Sequence, residues 1–560
     1  MNTRLLRKKY LDYFVALGHK LCASDLVVPQ NDPSVLFTPA GMNPFKDHFL
    51  GRAKIDHPQQ RAASCQKCVR TGDIDNVGVT PRHLTFFEML GNFSFGDYFK
   101  KDAIHWGWHF VTKELGIPEK DLWVSVYETD DEAFAIWRDE IGLPPSKIAR
   151  FGEDDNFWPA SAPTKGPDGP CGPDSEIFVC LDKNFQPTGN HEKDFSHFIE
   201  IWNLVFTQFN RQGLNPDGTP NLVPLPRKNI DTGMGLERVA AVMQGKTTVF
   251  DTDALKPIVD AAADICGVQY PAADNETNAS LRKIADHLRA ATFAITDHCP
   301  PSNTGAGYVI RKLLRRAVLN ARKIGGPAND EALLDRIVPV VVEQMSDVYP
   351  DLRDSMDATR QTIRAEEQQF RKTLSSAGKR FETAIVGLKD AKTNVINGET
   401  SFDFYETYGL PLDVQEDIAR ESGMVVDVKG HTSILERSRD GNREKKEVFA
   451  GGAMGDLKRE LADQPPVFVG YEQLNVRASK IIALLKDGSR IDRLSAGESG
   501  LAIIDPSPFY GEKGGQVGDT GTIESGDARA TVTDTTTDGG LSPLKITVTE
   551  GALTPGSVCI

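Results

Sequence analysis

The middle of the chain carries apolar residues at helical spacing. Residues 281–295, LRKIADHLRAATFAI, place their leucines and isoleucines on one helical face, which predicts an amphipathic helix. Residues 354–388 predict a long helix packed along a narrow apolar seam, because their apolar positions recur at steps of seven and four residues. Those positions are Ile363, Phe370, Leu374, Phe381 and Ile385.

The first 250 residues instead carry short apolar and β-branched runs between turn signals. The runs LVVP (26–29), LWVSVY (122–127), SEIFVCL (175–181) and LVPLP (222–226) predict strands. Since these strands do not alternate regularly with helices, we predict a mainly antiparallel sheet in an α+β domain.

A second β-rich pattern follows the Pro465-Pro466 pair, with short runs broken by Gly, Asp and Pro. It predicts a small barrel or sandwich. We therefore divide the chain into an α+β domain over 1–250, a helical domain over 251–455 and a small β-barrel over 466–560. The apolar ending GSVCI leads us to expect that the natural protein continues beyond residue 560.

The composition is that of a globular protein, with 39% hydrophobic and 26% charged residues among 560. We expect no membrane segment, because no run of eighteen apolar residues occurs. Eight scattered cysteines provide no disulfide framework, so a reducing cytoplasm is the expected location. The net charge of −15 argues against indiscriminate nucleic-acid binding but not against a local basic patch.

The segment KNIDTGMGLERVAAVMQG (228–245) is a candidate phosphate site. Asp231, Gly233 and Gly235 stand at a strand-to-helix turn, where paired glycines let the backbone approach a ligand closely. Arg238, one turn into the helix, could grip a phosphate near the positive helix N-terminus. An ordinary turn with a salt-bridged arginine explains the pattern equally well.

Residues 60–100 predict a strand–loop–strand hairpin in which Arg70 could offer a bidentate fork to a phosphate. Its returning strand, TFFEMLGNFSFGDYFK (85–100), is aromatic yet contains polar residues. Two weaker signals, the pairs Cys65/Cys68 and His105/His109, have metal-ligand spacing but no further ligands nearby, so packing is the favoured interpretation.

Two single residues and one basic helix complete the candidate site residues. Trp158 could form a pocket wall or belong to the core, and Asn203 could contact a ligand or make an internal hydrogen bond. The run YVIRKLLRRAVLNARK (308–323) contains six basic residues and no acid, whereas helices usually interleave the two. We favour a nucleic-acid backbone contact there over a solvated face.

Five segments, in this order along the chain, resemble the alanyl-tRNA synthetase family, which belongs to the class II aminoacyl-tRNA synthetases. The resemblance covers essentially the whole chain and implies a class II antiparallel sheet with flanking helices, then a helical tRNA-recognition domain, then the opening of an editing domain. The segments are 31–51, 68–100, 230–242, 300–317 and 507–521.

For ATP, the resemblance implies that Arg70 holds the α-phosphate and Arg238 the γ-phosphate. Met89 would give adenine backbone hydrogen bonds, and Gly233 would allow the nucleotide to approach. Glu88 would accept a hydrogen bond from adenine or orient the loop. The loop after Arg70 is short here and lacks a lysine that part of the family has near ATP.

For the other substrates, the resemblance implies that Asp231 binds the amino group of alanine, with Trp158 and Asn203 shaping the pocket. Asn303 resembles the residue that reads the minor groove of a G·U pair in the tRNA acceptor stem. Glu406 stands where an aspartate partner of that reader is common. The basic helix would contribute Arg311, Arg315 and Arg316.

The implied function is ATP-dependent ligation of alanine to tRNA(Ala) through an alanyl-adenylate, with Mg²⁺ as the cofactor. The alternatives are a related adenylating enzyme for another small amino acid or acceptor, and a non-catalytic tRNA-binding paralogue. The resemblance implies no metal site in these residues, since the editing zinc ligands would lie beyond them. We expect this fragment to be monomeric and leave dimerisation of the full-length protein open.

Overall fold

The computed structural model describes two compact units, Met1–Asn394 with Phe404–Val425, and Val395–Asp403 with Val426–Ile560. The described residues are 1–560 without 31, 33, 34, 183, 196, 327–330, 392, 409, 436–452, 462–464, 471, 472, 474, 487, 488, 512–517 and 537–540, and without the side chains of 192, 413, 421, 453 and 455. The first unit holds both the predicted 1–250 region and most of the predicted helical region. The division at 250 and 455 stays a prediction.

The first unit is built on a large sheet with the strand order β1-β2-β3-β9-β8-β7-β4-β5, to which β6 adds beside β7. Only the outer pairs β1–β2 and β4–β5 are parallel among the described strands, so the predicted mainly antiparallel sheet is confirmed. The strands are β1 Lys20–Cys22, β2 Arg61–Val69, β3 Phe86–Phe95, β4 Leu122–Tyr127, β5 Ile148–Phe151, β6 Phe157–Trp158, β7 Gly169–Cys180, β8 Phe198–Leu214 and β9 Pro220–Gly235.

The prediction of a strand at 26–29 is wrong. The backbone N–H of Val27 donates to the Asp297 carboxylate at 2.8 Å, and its carbonyl accepts from Thr38 at 2.9 Å. A side chain and a loop therefore satisfy the groups that a neighbouring strand would otherwise pair.

Helices cover the sheet and extend the first unit beyond it. The α-helices whose bounds the structure describes are α1 Thr3–Ala16, α2 Lys46–Phe49, α3 Lys100–His109, α4 Asp131–Ala135, α5 His191–Phe195, α6 Leu236–Met243, α7 Lys256–Cys266, α8 Asn275–Thr296, α9 Gly305–Lys323, α10 Val338–Met345, α11 Asp351–Asp354, α12 Met356–Thr373, α13 Lys379–Asp390, α14 Gly398–Glu406, α15 Leu412–Glu421 and α16 Ala453–Glu460. π-helical turns follow α3, α4 and α12 at Phe110–Glu114, Ile136–Glu140 and Leu374–Gly378. Short 3-10 helices cover Asn43–Phe45, Ile74–Asn76, Glu119–Asp121, Pro145–Lys147, Val249–Asp251 and Leu334–Ile337.

The predicted helices at 281–295 and 354–388 are confirmed. Helix α8 begins where the Asp274 carboxylate accepts a hydrogen bond from the N–H of Thr277, which is a regular N-cap. The second prediction corresponds to α12, a π turn and α13, and all five seam residues are at most 4% exposed. The apolar spacing identified the buried face correctly.

One face of the sheet packs on α1 and α3. Tyr10 and Phe14 of α1 form a buried cluster with Phe110, which follows α3, and with Trp202 of β8. Because successive residues of a strand point to opposite faces, Asn203, the residue after Trp202 on β8, points away from this core toward the second face of the sheet. That second face lines the cavity described below.

The smaller unit contains an antiparallel sheet of order β13-β12-β15-β18-β17-β16, with β20 beside β12. Its alternating residues bury an apolar core that includes Ile481, Ala530 and Ile546. Ile560 and Glu524 exchange two backbone hydrogen bonds, but no strand pairing among the described residues closes the sheet. The barrel stays a prediction. The remaining described strands of the chain are β10 Val395–Ile396, β11 Val425–Val426, β12 Ser479–Lys486, β13 Ser489–Ile491, β14 Leu494–Ser495, β15 Ser499–Asp505, β16 Gly521–Ser525, β17 Ala528–Thr535, β18 Leu544–Glu550, β19 Ala552–Leu553 and β20 Val558–Cys559.

Within the described part of the chain, no helix combines the length and the apolar character needed to cross a membrane.

Candidate active site

A cavity of about 790 Å³ opens on the second face of the large sheet, a size typical of small-molecule sites. It brings together most of the residues predicted to bind ATP and alanine, although they come from four strands, one helix and the residue after β2. Those that line it are Arg70, Met89, Trp158, Asn203, Asp231, Gly233 and Arg238.

Strand alternation explains how the inner strands contribute. Asp231, Gly233 and Gly235 are spaced by two residues along β9 and all line the cavity. A Cβ at Gly233 would lie 2.8 Å from the Sδ of Met89 on the neighbouring strand β3. Glycine therefore lets the Met89 side chain lie against β9 within the cavity wall.

Arg70 directly follows β2, and its guanidinium is partly fixed. Its Nε donates to the carbonyl of Pro39 at 3.0 Å, and its Cζ lies 5.1 Å from the ring centre of Phe87. Its two Nη groups make no hydrogen bond with the described residues. Both Nη groups therefore stay available as donors, and the hydrogen bond at Nε fixes the orientation of the guanidinium. This arrangement suits bidentate binding of a phosphate.

Arg238 stands in the first turn of α6, as the sequence predicts, and forms an ion pair. Its Nη1 donates to the Glu200 carboxylate at 2.7 Å and more weakly to the Glu200 carbonyl at 3.3 Å. The ion pair is partly exposed, so the arginine is not locked in a dry environment. An incoming phosphate could share or take over this arginine.

Three carboxyl groups with raised pKa values face the same cavity, and two of them, Asp174 and Asp231, are buried. Burial raises the pKa of Asp231 to about 7. Burial also raises the pKa of Asp174 to about 8, against the hydrogen bonds from Asn156 and Asn203. The pKa of Glu176 is well above its usual range because of burial and the nearby charge of Glu200. A cation bound beside these three carboxyl groups would stabilise their charged forms.

Asn203 is held by one of these acids. Its Nδ2 donates to the Glu176 carboxyl at 3.2 Å, while its Oδ1 has no partner among the described residues. The internal hydrogen bond that the sequence left as one alternative therefore occurs, and the side chain also lines the cavity; a ligand contact stays a prediction. Trp158 also combines its two alternatives, since it lines the cavity and packs against the apolar cluster around Phe45 and Phe93.

Glu88 does not line the cavity. Its carboxylate lies on the α1 side of the sheet, where Arg7 binds it at 2.6 and 2.9 Å and the Tyr349 hydroxyl donates at 2.8 Å. Burial opposes its charge, but Arg7 overcomes this and lowers the pKa of Glu88. The geometry does not support the predicted contact between this side chain and adenine, because Glu88 and Met89 are strand neighbours and point to opposite faces.

Sequence reasoning missed the acids Asp174, Glu176 and Glu200, which line the cavity. Asp174 and Glu176 are two apart in GPCGPDSEI, so they share one face of β7. A pair of acids spaced by two in an apolar strand was the signal that could have revealed them.

The weak metal signals lead to ordinary contacts. The Cys65 thiol donates to Glu88, and His105 pairs with Glu140 at 2.9 Å. The described residues contain no group of three or more metal-ligating side chains.

The basic helix is confirmed as α9, but its charges are paired by acids from elsewhere in the first unit. Arg311 and Arg315 both reach the Glu366 carboxylate, at 3.1 and 3.0 Å, and Arg316 reaches Asp75 at 2.8 Å. Arg311 also donates to the side chain of Asn303, whose residue is exposed before the helix. Glu406 is exposed at the end of α14 and makes no hydrogen bond with Asn303.

Comparison with known proteins identifies the family of the chain that forms this cavity. The sequence profile of the family described as tRNA synthetases class II (A) matches residues 5–560. The chain belongs to this family. The match includes the large sheet and every cavity residue described above.

Individual relatives agree with the family. The alanine–tRNA ligase of Acidithiobacillus ferridurans is 44% identical over 548 residues, 96% of this chain and 60% of that protein. The alanine–tRNA ligase of Thermus thermophilus is 44% identical over 567 residues, 99% of this chain and 63% of that protein. The alanine–tRNA ligase of Deinococcus radiodurans is 42% identical over 571 residues, 100% of this chain and 63% of that protein. The chain thus spans 60–63% of the length of these curated relatives.

Proposed function

We propose that this chain activates alanine with ATP and ligates it to tRNA(Ala) through an alanyl-adenylate. The observation that carries the proposal is a single cavity that combines the phosphate-binding candidates Arg70 and Arg238 with the buried acid Asp231. Similarity to alanine–tRNA ligases over nearly the whole chain selects alanine and tRNA among the possible substrates.

Asp231 binds the ammonium group of alanine in this proposal. The residue is 5% exposed, and its carboxyl receives no hydrogen bond from the described residues, so an ammonium group would supply the counter-charge that it lacks. Asn203 offers its unpartnered Oδ1 to the same group, and Trp158 limits the space for the side chain.

ATP would lie across the inner strands, with its α-phosphate at Arg70 and its γ-phosphate at Arg238. Met89 would contact adenine, and Gly233 keeps the strand surface low enough for the nucleotide. Mg²⁺ prefers oxygen ligands and is commonly held by one or two carboxylates together with substrate phosphates. The cavity fits this ion, and Glu200 would hold it, since its carboxylate lines the cavity beside Arg238. When bound, the ion supplies positive charge to the triphosphate.

The first chemical step is an in-line attack of the alanine carboxylate on the α-phosphorus. The new carboxyl–phosphorus bond forms while the bond to the bridging oxygen breaks, and pyrophosphate leaves with the electron pair. The attacking carboxylate is already anionic, so the step requires no general base. Arg70 and Arg238 position the two ends of the triphosphate and neutralise its charge, which is the main contribution the protein can make.

In the second step, a ribose hydroxyl of the terminal adenosine of tRNA attacks the alanyl carbonyl. The bond between that carbonyl and the phosphate oxygen breaks, AMP leaves with the electron pair, and the hydroxyl proton is released. Asn303 reads the G·U pair of the acceptor stem, and Glu406 and the arginines of α9 also contribute to tRNA binding. Arg311, which donates to Asn303, orients this reader in the absence of tRNA.

A small pocket cannot strongly reject glycine or serine, because one methylene contributes only about 1–3 kcal/mol to discrimination. We therefore infer that the smaller unit opens an editing domain. We also propose that its sheet closes as a barrel and that these residues do not form an editing zinc site. We also propose that the chain is cytoplasmic and monomeric. Metal analysis and sedimentation of the purified chain test the zinc and oligomer proposals.

ATP–pyrophosphate exchange with alanine, glycine and serine tests the activation step and separates the alternatives. We expect exchange with a clear preference for alanine. Preference for another amino acid would support the related adenylating enzyme, and absence of exchange with all three would support a non-catalytic tRNA-binding protein. Charging of a tRNA whose G·U pair is converted to G·C tests Asn303, and undiminished charging would refute its role.

A further inference from the structure

Arg289 of helix α8 is a fully buried cation that lies between the large sheet and helix α6. Its Nη1 donates to the Glu237 carboxylate at 2.8 Å, and its Nη2 donates to the backbone carbonyl of Phe86. Its Cζ also lies 5.0 Å from the centre of the Phe86 ring. One guanidinium therefore contacts the first turn of α6 and the start of β3 at once.

Glu237 completes the connection from the other side. Its carboxylate accepts hydrogen bonds from the backbone N–H of Glu88 at 3.2 and 3.3 Å, in addition to the bond from Arg289. Burial raises the pKa of Glu237, and the charge of Arg289 opposes that shift. Removing the cation would leave a buried carboxylate without compensation, which is strongly unfavourable.

The two segments joined in this way are those proposed to hold opposite ends of ATP. Glu88 precedes Met89 on β3, and Glu237 precedes Arg238 on α6; Met89, Glu237 and Arg238 all line the cavity. A shift of one segment relative to the other would change the distance between the adenine and γ-phosphate contacts.

Helix α8 holds the β2–β3 hairpin at two further points. The Asp286 carboxylate accepts from the N–H of Thr85 at 2.8 Å, and the carbonyl of Thr85 accepts from the N–H of Arg70 at 2.9 Å. Asp297, the C-cap of α8, binds Lys67 of β2 at 2.7 Å with both oxygens. The helix therefore anchors both strands of the hairpin that carries Arg70 and Met89.

We propose that Arg289 is a positioning residue for ATP: through Glu237 and β3 it fixes the spacing between Met89 and Arg238, so that helix α8 sets the geometry of the nucleotide site. This inference rests on the proposed function. It assigns to the region after residue 250 a role in nucleotide binding besides the tRNA recognition proposed for it.

The test measures ATP–pyrophosphate exchange in Arg289→Gln, Glu237→Gln and the double variant, together with equilibrium binding of ATP. We expect Arg289→Gln to raise KM for ATP about ten-fold or more and to weaken ATP binding in parallel, with KM for alanine changed less than about two-fold. The double variant should recover most of the loss, because it removes the uncompensated carboxylate as well. Arg289→Lys, which keeps the charge but not the fork, should lie between the wild type and Arg289→Gln.

Arg371→Gln provides a matched control. Arg371 and Glu367 form another buried arginine–glutamate pair, at 2.8 Å, in helix α12 and outside the cavity. This variant should lose stability and leave KM for ATP and alanine unchanged, which separates a positioning effect from general destabilisation.

The outcomes distinguish this inference from the proposed function. The role of Arg289 would be overturned if Arg289→Gln changed the KM for ATP and the KM for alanine equally, or if its effect on the KM for ATP equalled that of Arg371→Gln. In either case, exchange by the wild type would leave the proposed function intact. No exchange by the wild type would contradict the proposed function. ATP binding would then decide the inference alone, since unchanged binding by Arg289→Gln would overturn it.

Discussion

Replacing Asp231 by asparagine should stabilise the ligand-free protein at pH 8 while removing its activity. The carboxyl has a folded-state pKa of about 7 against an ordinary value of 3.8, and burial is the cause. Between these two values the folded protein binds the proton that the unfolded chain has lost. Asp231 therefore favours folding at low pH, and this contribution is lost as the pH rises through the window up to about 7.

The size of the effect follows from the width of that window. Between pH 5 and the folded-state pKa of about 7, the unfolding free energy of the wild type should fall by ~1.4 kcal/mol per pH unit over about two units. The wild type should therefore lose ~3 kcal/mol of unfolding free energy that the variant retains. Other buried acids titrate in both proteins and cancel in the difference.

Urea unfolding of wild type and Asp231→Asn at pH 5 and pH 8 measures this difference directly. The stability of the variant relative to wild type should rise with pH by about the stated amount. Saturating alanine should stabilise the wild type at pH 8 and not the variant, because only the carboxylate supplies the partner for the ammonium group. Asp12→Asn, at an exposed position of α1, serves as the control.

A stability difference that stays constant between pH 5 and pH 8 would refute the reasoning about burial. Loss of exchange is expected in the same variant, by about 100-fold, since a hydrogen bond to a charged group contributes ~1.5–3 kcal/mol. Unchanged exchange would show that alanine is held by other residues.

Three further variants test other parts of the cavity and the tRNA side. Gly233→Ala should raise KM for ATP several-fold in the exchange assay, because its Cβ would lie 2.8 Å from the Sδ of Met89 and push that side chain into the cavity. Arg70→Ala should lower kcat/KM for ATP in exchange by about 100-fold through loss of a charge-assisted contact to the α-phosphate. Asn303→Ala should lower tRNA charging by about ten-fold or more with exchange unchanged, since it removes a base contact.

Each of these variants has a result that contradicts its explanation. Wild-type ATP affinity in Gly233→Ala would mean that Met89 relaxes away from the nucleotide. Gly387→Ala is the control, because Gly387 lies outside the cavity and a Cβ there would meet no atom within 4 Å. A uniform loss for ATP and alanine in Arg70→Ala would indicate structural damage. Equal losses in charging and exchange for Asn303→Ala would show that the residue affects activation of alanine rather than binding of tRNA.

The cavity could be predicted from the sequence where local patterns decide which side chains share a face. Asp231 and Gly233 are two residues apart before a helix, and the structure places both on the cavity wall. The same rule explains the failure at Glu88, because a residue adjacent to Met89 on a strand must face the other side. The aromatic composition of that strand drew attention to the segment without separating its two faces.

The rest depended on contacts between distant parts of the chain. Helix α9 has no acid of its own, yet Glu366 and Asp75 pair with its arginines across 55 and 241 residues, respectively. Arg289 and Glu237 are 52 residues apart and meet only because α8 docks on the sheet. Periodicity describes the face of each element and contains no information about which partner covers it.

The fate of the α-phosphorus tests the central claim most directly. Incubation of the protein with alanine and ATP labelled at the α-phosphorus should give alanine-dependent, protein-bound alanyl-adenylate, with AMP as the labelled product once tRNA(Ala) is added. Label recovered as ADP, or adenylate formed equally well without alanine, would contradict activation of alanine at this cavity.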